Sequence, residues 1–166
     1  MGNISDIIPL TNIMILVLHN IRSVYNVGAI FRTADATGVS KIYLTGYTPG
    51  PVDRFDRLRA DLRKSALGAE LVVPWERREK VVDLIDNLKI KNYEIVALEQ
   101  DKRAIDYKNY HPTKDFAMIV GNEVEGLTTE VLNACDKIIE IPMKGRKESL
   151  NVSVALGIAM YKVLNI

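Results

Sequence analysis

Short apolar runs alternate with longer stretches of helical period along this chain, and that alternation belongs to an α/β domain built around a mostly parallel sheet. The runs are read as six strands, Met14–Leu18, Lys41–Thr45, Ala69–Val73, Tyr93–Leu98, Phe116–Val120 and Ile138–Ile141. After Pro74, Val81, Val82, Leu84, Ile85 and Leu88 recur at helical spacing with Glu79, Asp83 and Lys89 on the other side, which predicts an amphipathic helix lying on one sheet face. Helices are expected on both faces. At 166 residues the chain fits a single domain, 1–166, and no second domain beside it, internal repeat or low-complexity linker is expected. Tyr47–Arg59, with Pro49, Gly50 and Pro51 followed by alternating charges, reads as a long loop.

Charge totals leave the partner open. Twenty-two basic residues against 21 acidic give a net charge of +1, so any contact with a polyanion has to come from local patches. The single cysteine, Cys135, has no internal disulfide partner, and no Cys/His spacing fits a zinc site, so a metal-free intracellular protein is expected. Ile13–Leu18 is too short to cross a bilayer and no basic segment precedes it as in a secretion signal; the expectation is a cytoplasmic protein with no membrane association.

The segment from Ser149 to Ile166 is apolar on nearly every face of a helix and keeps only Lys162 as a charge. It is either a central helix covered by its own domain or one completed by a second subunit. A domain of this size has little material to bury such a terminal helix completely, which favours a homodimer.

Three polar constellations interrupt the apolar pattern. The first, Asn20 to Ala34, follows the first strand. At about 100° per residue Val27, Ile30, Phe31 and Ala34 share a stripe, while Arg32 points nearly opposite, between the small residues Gly28 and Ala36. Asn26 suits the N-cap of this helix and Gly38 its C-terminal stop. On spacing alone, a capping Asn and a solvated Arg explain the pattern as well as a site does. The second, Ile119 to Leu127, runs a buried strand into a turn holding Gly121 and Gly126, with Glu123 beside it; strand ends of this kind admit ligands close to the backbone, and are also ordinary turn chemistry. The third, Ile141 to Val154, ends a strand in a basic loop and starts a helix with Ser149 as N-cap and Asn151 in its first turn. Free amides at such a start hold polar or charged ligand groups; a plain cap explains Ser149 but not Asn151 beside it.

Taken together and in order, these stretches closely resemble the three signature motifs of the SpoU (TrmH) RNA 2′-O-ribose methyltransferases of the SPOUT superfamily, over about Ile15 to Tyr161. The first resembles the family's Asn, Arg, Asn, Gly, Arg-Thr-Ala pattern, the second its Gly-Asn-Glu-x-x-Gly-Leu turn, and the third its Ile-Pro-Met…Ser-Leu-Asn-Val-Ser-Val-Ala segment. The resemblance implies a C-terminal deep trefoil knot and S-adenosylmethionine bent within it against Leu98, Gly121, Ile141, Met143 and Leu150. It also implies a homodimer that brings the first motif of one subunit to the cofactor of the other. Arg32 is then the residue that activates the ribose 2′-hydroxyl, with an RNA phosphate assisting, since a guanidinium is a poor base. Asn26, Glu123, Ser149 and Asn151 complete the site, Asn26 and Ser149 near ribose or cofactor and Glu123 orienting Arg32 or its partners.

The RNA, a tRNA or rRNA, is expected to meet Arg22, Arg54, Arg57, Arg59, Arg63 and Lys64, with Lys144, Arg146 and Lys147 near the site. Asp53, Asp56 and Asp61 dilute the loop patch, so a solvated mixed-charge surface remains the other reading there. The rival functions are a knotted RNA-binding or ribosome-assembly protein without catalysis, and a base-methylating relative. An ordinary nucleotide-binding α/β protein lacks support, because no phosphate-cradling glycine pattern occurs.

Overall fold

A computed structural model describes residues 12–166, so the first eleven residues of the expected 1–166 domain lie outside the described residues. Among the described residues seven strands form one sheet: β1 (Met14–His19), β2 (Lys41–Thr45), β3 (Trp75–Arg78), β4 (Glu94–Leu98), β5 (Ile105–Asp106), β6 (Phe116–Val120) and β7 (Lys137–Glu140). Their order is β3-β2-β1-β6-β4-β7-β5 and every pairing is parallel. Strands covered on both faces read as continuous apolar runs, and β6, Phe-Ala-Met-Ile-Val, is buried at all positions.

Alternate residues of each strand serve two cores. Met14, Leu16 and Leu18 of β1, with Phe116, Met118 and Val120 of β6, face the helices α1 (Val24–Thr37), α2 (Ala60–Ala66) and α6 (Val152–Leu164). Ile15 and Val17, with Ala117 and Ile119, face α4 (Val81–Ile90) and α5 (Thr129–Ala134). The expected stripes hold: Val27, Ile30, Phe31 and Ala34 of α1 and Val81, Leu84, Ile85 and Leu88 of α4 are buried. Each fully buried large side chain among them contributes roughly 1.5–3 kcal/mol.

Several local expectations are corrected. Ala69–Val73 is not a strand: Ala69–Val72 is the short helix α3, with Glu70 Oε2 accepting from the Gly68 amide at 2.9 Å. A five-residue apolar run fits either structure, and here Leu71 and Val72 end up exposed. The strand is instead Trp75–Arg78, an edge strand paired only with β2, whose charged residues hide the apolar signal. β5, two residues long, gave no periodicity to read. The α1 cap is Ser23, whose Oγ accepts from the Asn26 amide at 3.2 Å, so Asn26 is inside the helix with its side chain available. The cap of α6 is Asn151, accepting from the Ser153 and Val154 amides, and not Ser149. Gly38 stops α1 in the left-handed conformation as expected.

Two topological features shape the functional end. Leu98 of β4 and Ile105 of β5 flank the same residue of β7, Ile139, from opposite sides. Residues 99–104 therefore straddle β7 at the end from which the chain departs toward α6. On the face covered by α1, α2 and α6, α1 and α2 pack so closely that a Cβ on Gly28 would collide with Ser65 Oγ and lie 2.6 Å from the Leu62 carbonyl oxygen. Gly28 is thus a packing residue and not a bare patch beside Arg32.

Gly28→Ala is expected to destabilise the fold by about 1–3 kcal/mol through overpacking against backbone. Gly157→Ala in α6, where the added methyl would meet only Thr33 Cγ2 at 3.7 Å, is expected to be neutral or to stabilise by up to about 1 kcal/mol. Urea denaturation of both variants measures the contrast.

Candidate active site

In a parallel sheet all strands deliver their carboxyl ends to one edge, and ligands of open α/β sheets bind there. The main pocket lies at this edge. Leu98, Glu99 and Gln100 leave β4, Val120 to Glu123 leave β6, and Glu140, Ile141 and Met143 leave β7; Ser149, Leu150, Val152 and Ala155 close it from the α6 side. Leu98, Gly121, Ile141, Met143 and Leu150, the five residues expected to meet a cofactor, all line it, as do Glu123 and Ser149.

The floor depends on a tight turn after β6. A Cβ on Gly121 would sit 2.7 Å from the Gly126 carbonyl carbon, and one on Gly126 would sit 2.6 Å from Glu99 Oε2. Gly126 also has φ +68, a left-handed conformation suited to glycine. Asn122 holds the turn shut: its Oδ1 accepts from the Val124 and Glu125 amides at 2.8 Å, and its Nδ2 donates to the Asn20 carbonyl and to Tyr47 Oη. Glu99 supports the turn from below, accepting from the Leu127 amide at 3.0 Å. Gln100 ties down the opposite lip by donating to the Glu148 carbonyl at 2.6 Å.

The three sequence constellations meet through side-chain hydrogen bonds. The Glu123 carboxylate accepts from the amides of Arg22 and Ser23 at 3.0 and 3.2 Å and from Asn26 Nδ2 at 2.9 Å. Asn26 Oδ1 in turn accepts from Asn151 Nδ2 at 3.1 Å, while Asn151 Oδ1 accepts from Ser153 Oγ at 2.6 Å and caps α6. Partial burial alone would raise the Glu123 pKa, but these donors outweigh it and hold the carboxyl below the usual glutamate range. Glu123 therefore orients Asn26 and the start of α1, and makes no contact with Arg32.

Arg32 lies elsewhere on the same protomer. It is exposed, forms no ion pair among the described residues, and lines a shallow depression with Tyr25, Ala29, Thr33, Ala36, Lys64, Ser65 and Tyr161, none of which lines the main pocket. Of the expected RNA contacts, Arg57 is paired with Asp53 at 2.8 Å, Arg59 with Asp61 at 2.7 Å, and Arg63 with the buried Glu70 at 3.5 Å. Arg22, Arg54, Lys64, Lys144, Arg146 and Lys147 are exposed and form no ion pair among the described residues. The sequence reading passed over Glu99, Gln100, Asn122 and Tyr47. The available signal was position, since the first three directly follow strand ends and Asn122 sits inside the glycine turn.

Burial pushes the Cys135 thiol up to about 12, which removes it as a nucleophile at neutral pH. Among the described residues no group of three or more His, Cys, Asp or Glu is placed to hold a metal ion, and no helix is long and apolar enough to cross a membrane.

A parallel α/β sheet whose pocket is bounded by a glycine turn, a straddling loop and a capped terminal helix defines the class of protein. Residues 13–161 match the SpoU rRNA Methylase family, and the chain belongs to it. It is 35% identical over 149 residues to a Staphylococcus aureus protein named as a TrmH family tRNA/rRNA methyltransferase, covering 90% of this chain and 57% of that protein. The chain thus spans little more than half the length of that relative. Its fold is similar to an AdoMet-bound rRNA methyltransferase from Sinorhizobium meliloti, with TM-score 0.84, 28% identity, and coverage of 95% of this chain and 57% of the other. It is also similar to an RNA 2′-O ribose methyltransferase, with TM-score 0.80, 28% identity and the same two coverages.

Because the Glu123 pKa is lowered on folding, its stabilising contribution is fully present above the ordinary glutamate value of about 4.3 and is lost as pH falls through the lower folded value. Glu123→Gln is expected to lower stability at neutral pH and to flatten the loss of stability below about pH 4.3. Thermal unfolding of both proteins across pH 3–7 checks the sign, to order of magnitude.

Proposed function

We propose that this chain transfers the methyl group of S-adenosylmethionine to a ribose 2′-hydroxyl of tRNA or rRNA. The observation that carries the reading is the hydrogen-bonded chain Glu123–Asn26–Asn151, which fixes all three motif segments around one pocket. The pocket suits the cofactor's chemistry. Leu98, Ile141, Met143, Leu150 and Val152 offer apolar surface that suits an adenine, and Glu99 and Glu123 bring to the pocket wall carboxylates that suit ribose hydroxyls and a cationic group. When bound, the sulfonium supplies an activated methyl and its own leaving group.

The protein's share is orientation and handling of one proton. In this reading Ser149 and the Asn26 and Asn151 amides bind the ribose or cofactor edge, and Glu123 keeps Asn26 in place. Arg32 donates to the attacking 2′-oxygen and stabilises its developing charge, while a phosphate of the RNA takes the proton.

Since Arg32 lies away from the pocket of its own protomer, we infer a homodimer in which it reaches the pocket of a second copy. Leu150, Val154, Ile158 and Tyr161 support this: at helical spacing along and just before α6, each keeps 38% or more of its surface exposed, with Tyr25 also exposed nearby in sequence to Arg32. The straddling of β7 by residues 99–104 supports a knot, because the chain leaving β7 has to pass that segment to reach α6. On this reading the described residues form one catalytic domain, and the protein acts in the cytoplasm.

Arg32→Ala is expected to lower methyl transfer by about 10²-fold or more while leaving folding and S-adenosylmethionine binding unchanged. Mixing that variant with Met143→Trp, which puts a larger side chain on the pocket wall without touching the glycine turn, is expected to restore activity through heterodimers carrying one complete site. Labelled cofactor with total tRNA and rRNA, followed by nucleoside mapping, measures both; undiminished turnover by the Arg32 variant, or methylation of a base, would refute the assignment.

A further inference from the structure

Tyr47–Arg59 rises from the carboxyl edge of β2, the same edge of the sheet as the pocket. Its base is pinned: Thr48 Oγ1 accepts from the Ile21 amide at 3.0 Å, Arg77 Nη2 donates to the Thr48 carbonyl at 2.7 Å, and Tyr47 Oη accepts from Asn122 of the pocket. Its tip is a formed hairpin. Val52 bridges Leu58, the Asp53 amide donates to the Arg57 carbonyl at 2.9 Å, and Asp53 Oδ1 accepts from the amides of Phe55 and Arg57. The residue this framework presents is Phe55, 60% exposed and absent from either core. The guanidinium groups of Arg54 and Arg57 lie over its ring at 4.7 and 5.0 Å from the centroid.

Phe55 packs into neither core, and what sets it apart from the other exposed apolar side chains is the pair of guanidinium groups over its ring. Electrostatics does not explain the tip. Between Asp53 and Asp61 three arginines face three aspartates, and Arg57 and Arg59 are already paired, so the tip has no net charge with which to clamp a phosphate. What it does offer is planar surface, ring and guanidinium together, which is the kind of surface on which an unpaired base stacks. A duplex, whose bases are already stacked, has no such face to offer.

We propose that Phe55, with Arg54 and Arg57 against it, is a stacking platform for one unpaired base of the RNA, outside the methyl-transfer pocket. The inference rests on the RNA methyltransferase reading above and adds a preference for a single-stranded segment next to the target ribose. Because the tip is formed before binding, little ordering cost opposes the contact.

The test is fluorescence anisotropy of the full chain with a labelled single-stranded oligoribonucleotide of twelve mixed-sequence nucleotides and with its duplex, at several salt concentrations. Phe55→Ala leaves the core untouched and is expected to weaken single-strand binding by about five- to tenfold, as the loss of one base–aromatic stack would. Duplex binding and the slope of affinity against salt are expected to stay as in the native chain. Phe55→Trp is expected to keep the affinity and to add tryptophan quenching beyond that of Trp75 on binding. Arg54→Ala is expected to lower single-strand affinity as well, since its guanidinium is part of the platform, and to leave the salt slope unchanged; unchanged single-strand affinity of this variant counts against the platform.

Equal single-strand affinity of native and Phe55→Ala chains overturns the proposal. So does an equal loss for duplex, or a tip that binds an acidic peptide in a Phe55-dependent way while ignoring RNA. Failure of the underlying enzymatic reading shows separately, as absence of S-adenosylmethionine binding by calorimetry, which Phe55→Ala is expected to leave unaltered.

Discussion

A carboxylate with three donors, followed by an amide that passes the connection on, organises the functional end of this molecule. Glu123 belongs to the turn after β6, Asn26 to the first turn of α1 and Asn151 to the cap of α6, so one run of hydrogen bonds spans elements separated by 97 and 125 positions in sequence. Hydrogen bonds to an ionised acceptor are the stronger kind, and a partly buried carboxylate deprived of them would be costly. The arrangement presupposes the two caps. With Ser23 accepting at the start of α1, the Asn26 side chain is released from capping and bridges Glu123 to Asn151; with Asn151 capping α6, the helix begins where it closes the pocket.

Backbone, more than side chain, sets the shape of that pocket. Gly121 and Gly126 let two strands of one turn approach to a separation that a methyl group would forbid, and Asn122 and Glu99 satisfy the amides thereby exposed. Residues 99–104 pass from one side of β7 to the other, so both lips belong to segments whose paths are fixed by strand pairing. A site made in this way is stiff, and its selectivity lies in where amides and carbonyls point.

Two surface regions carry apolar or aromatic groups that the fold leaves in solvent: the α6 stripe with Tyr25, and the hairpin tip with Phe55. Their surroundings differ. The stripe runs beside Arg32, whose depression includes Tyr161, and a second copy of the chain is the occupant we propose for it. The tip has balanced charge and a rigid frame, which favours a planar ligand over a phosphate backbone.

Local patterning determined the α/β class, the positions of β1, β2 and β6, the stripes of α1 and α4 and the stop at Gly38, because burial on a sheet face or helix stripe writes itself into residue period; the five residues that line the pocket came from the resemblance of the three motifs to a known family, not from period. It did not determine that Ala69–Val72 would coil while Trp75–Arg78 paired at the edge, since an edge strand with one buried face and charged residues carries little of that period. Nor did it reveal that Gly28 is a contact between two helices, that Ser23 and Asn151 are the caps, or that Glu123 accepts from Asn26 within its own protomer. Those outcomes turn on which strand ends become neighbours. Sheet order decides that, and sheet order is a property of pairings between segments far apart in the chain, to which no window of neighbouring residues has access.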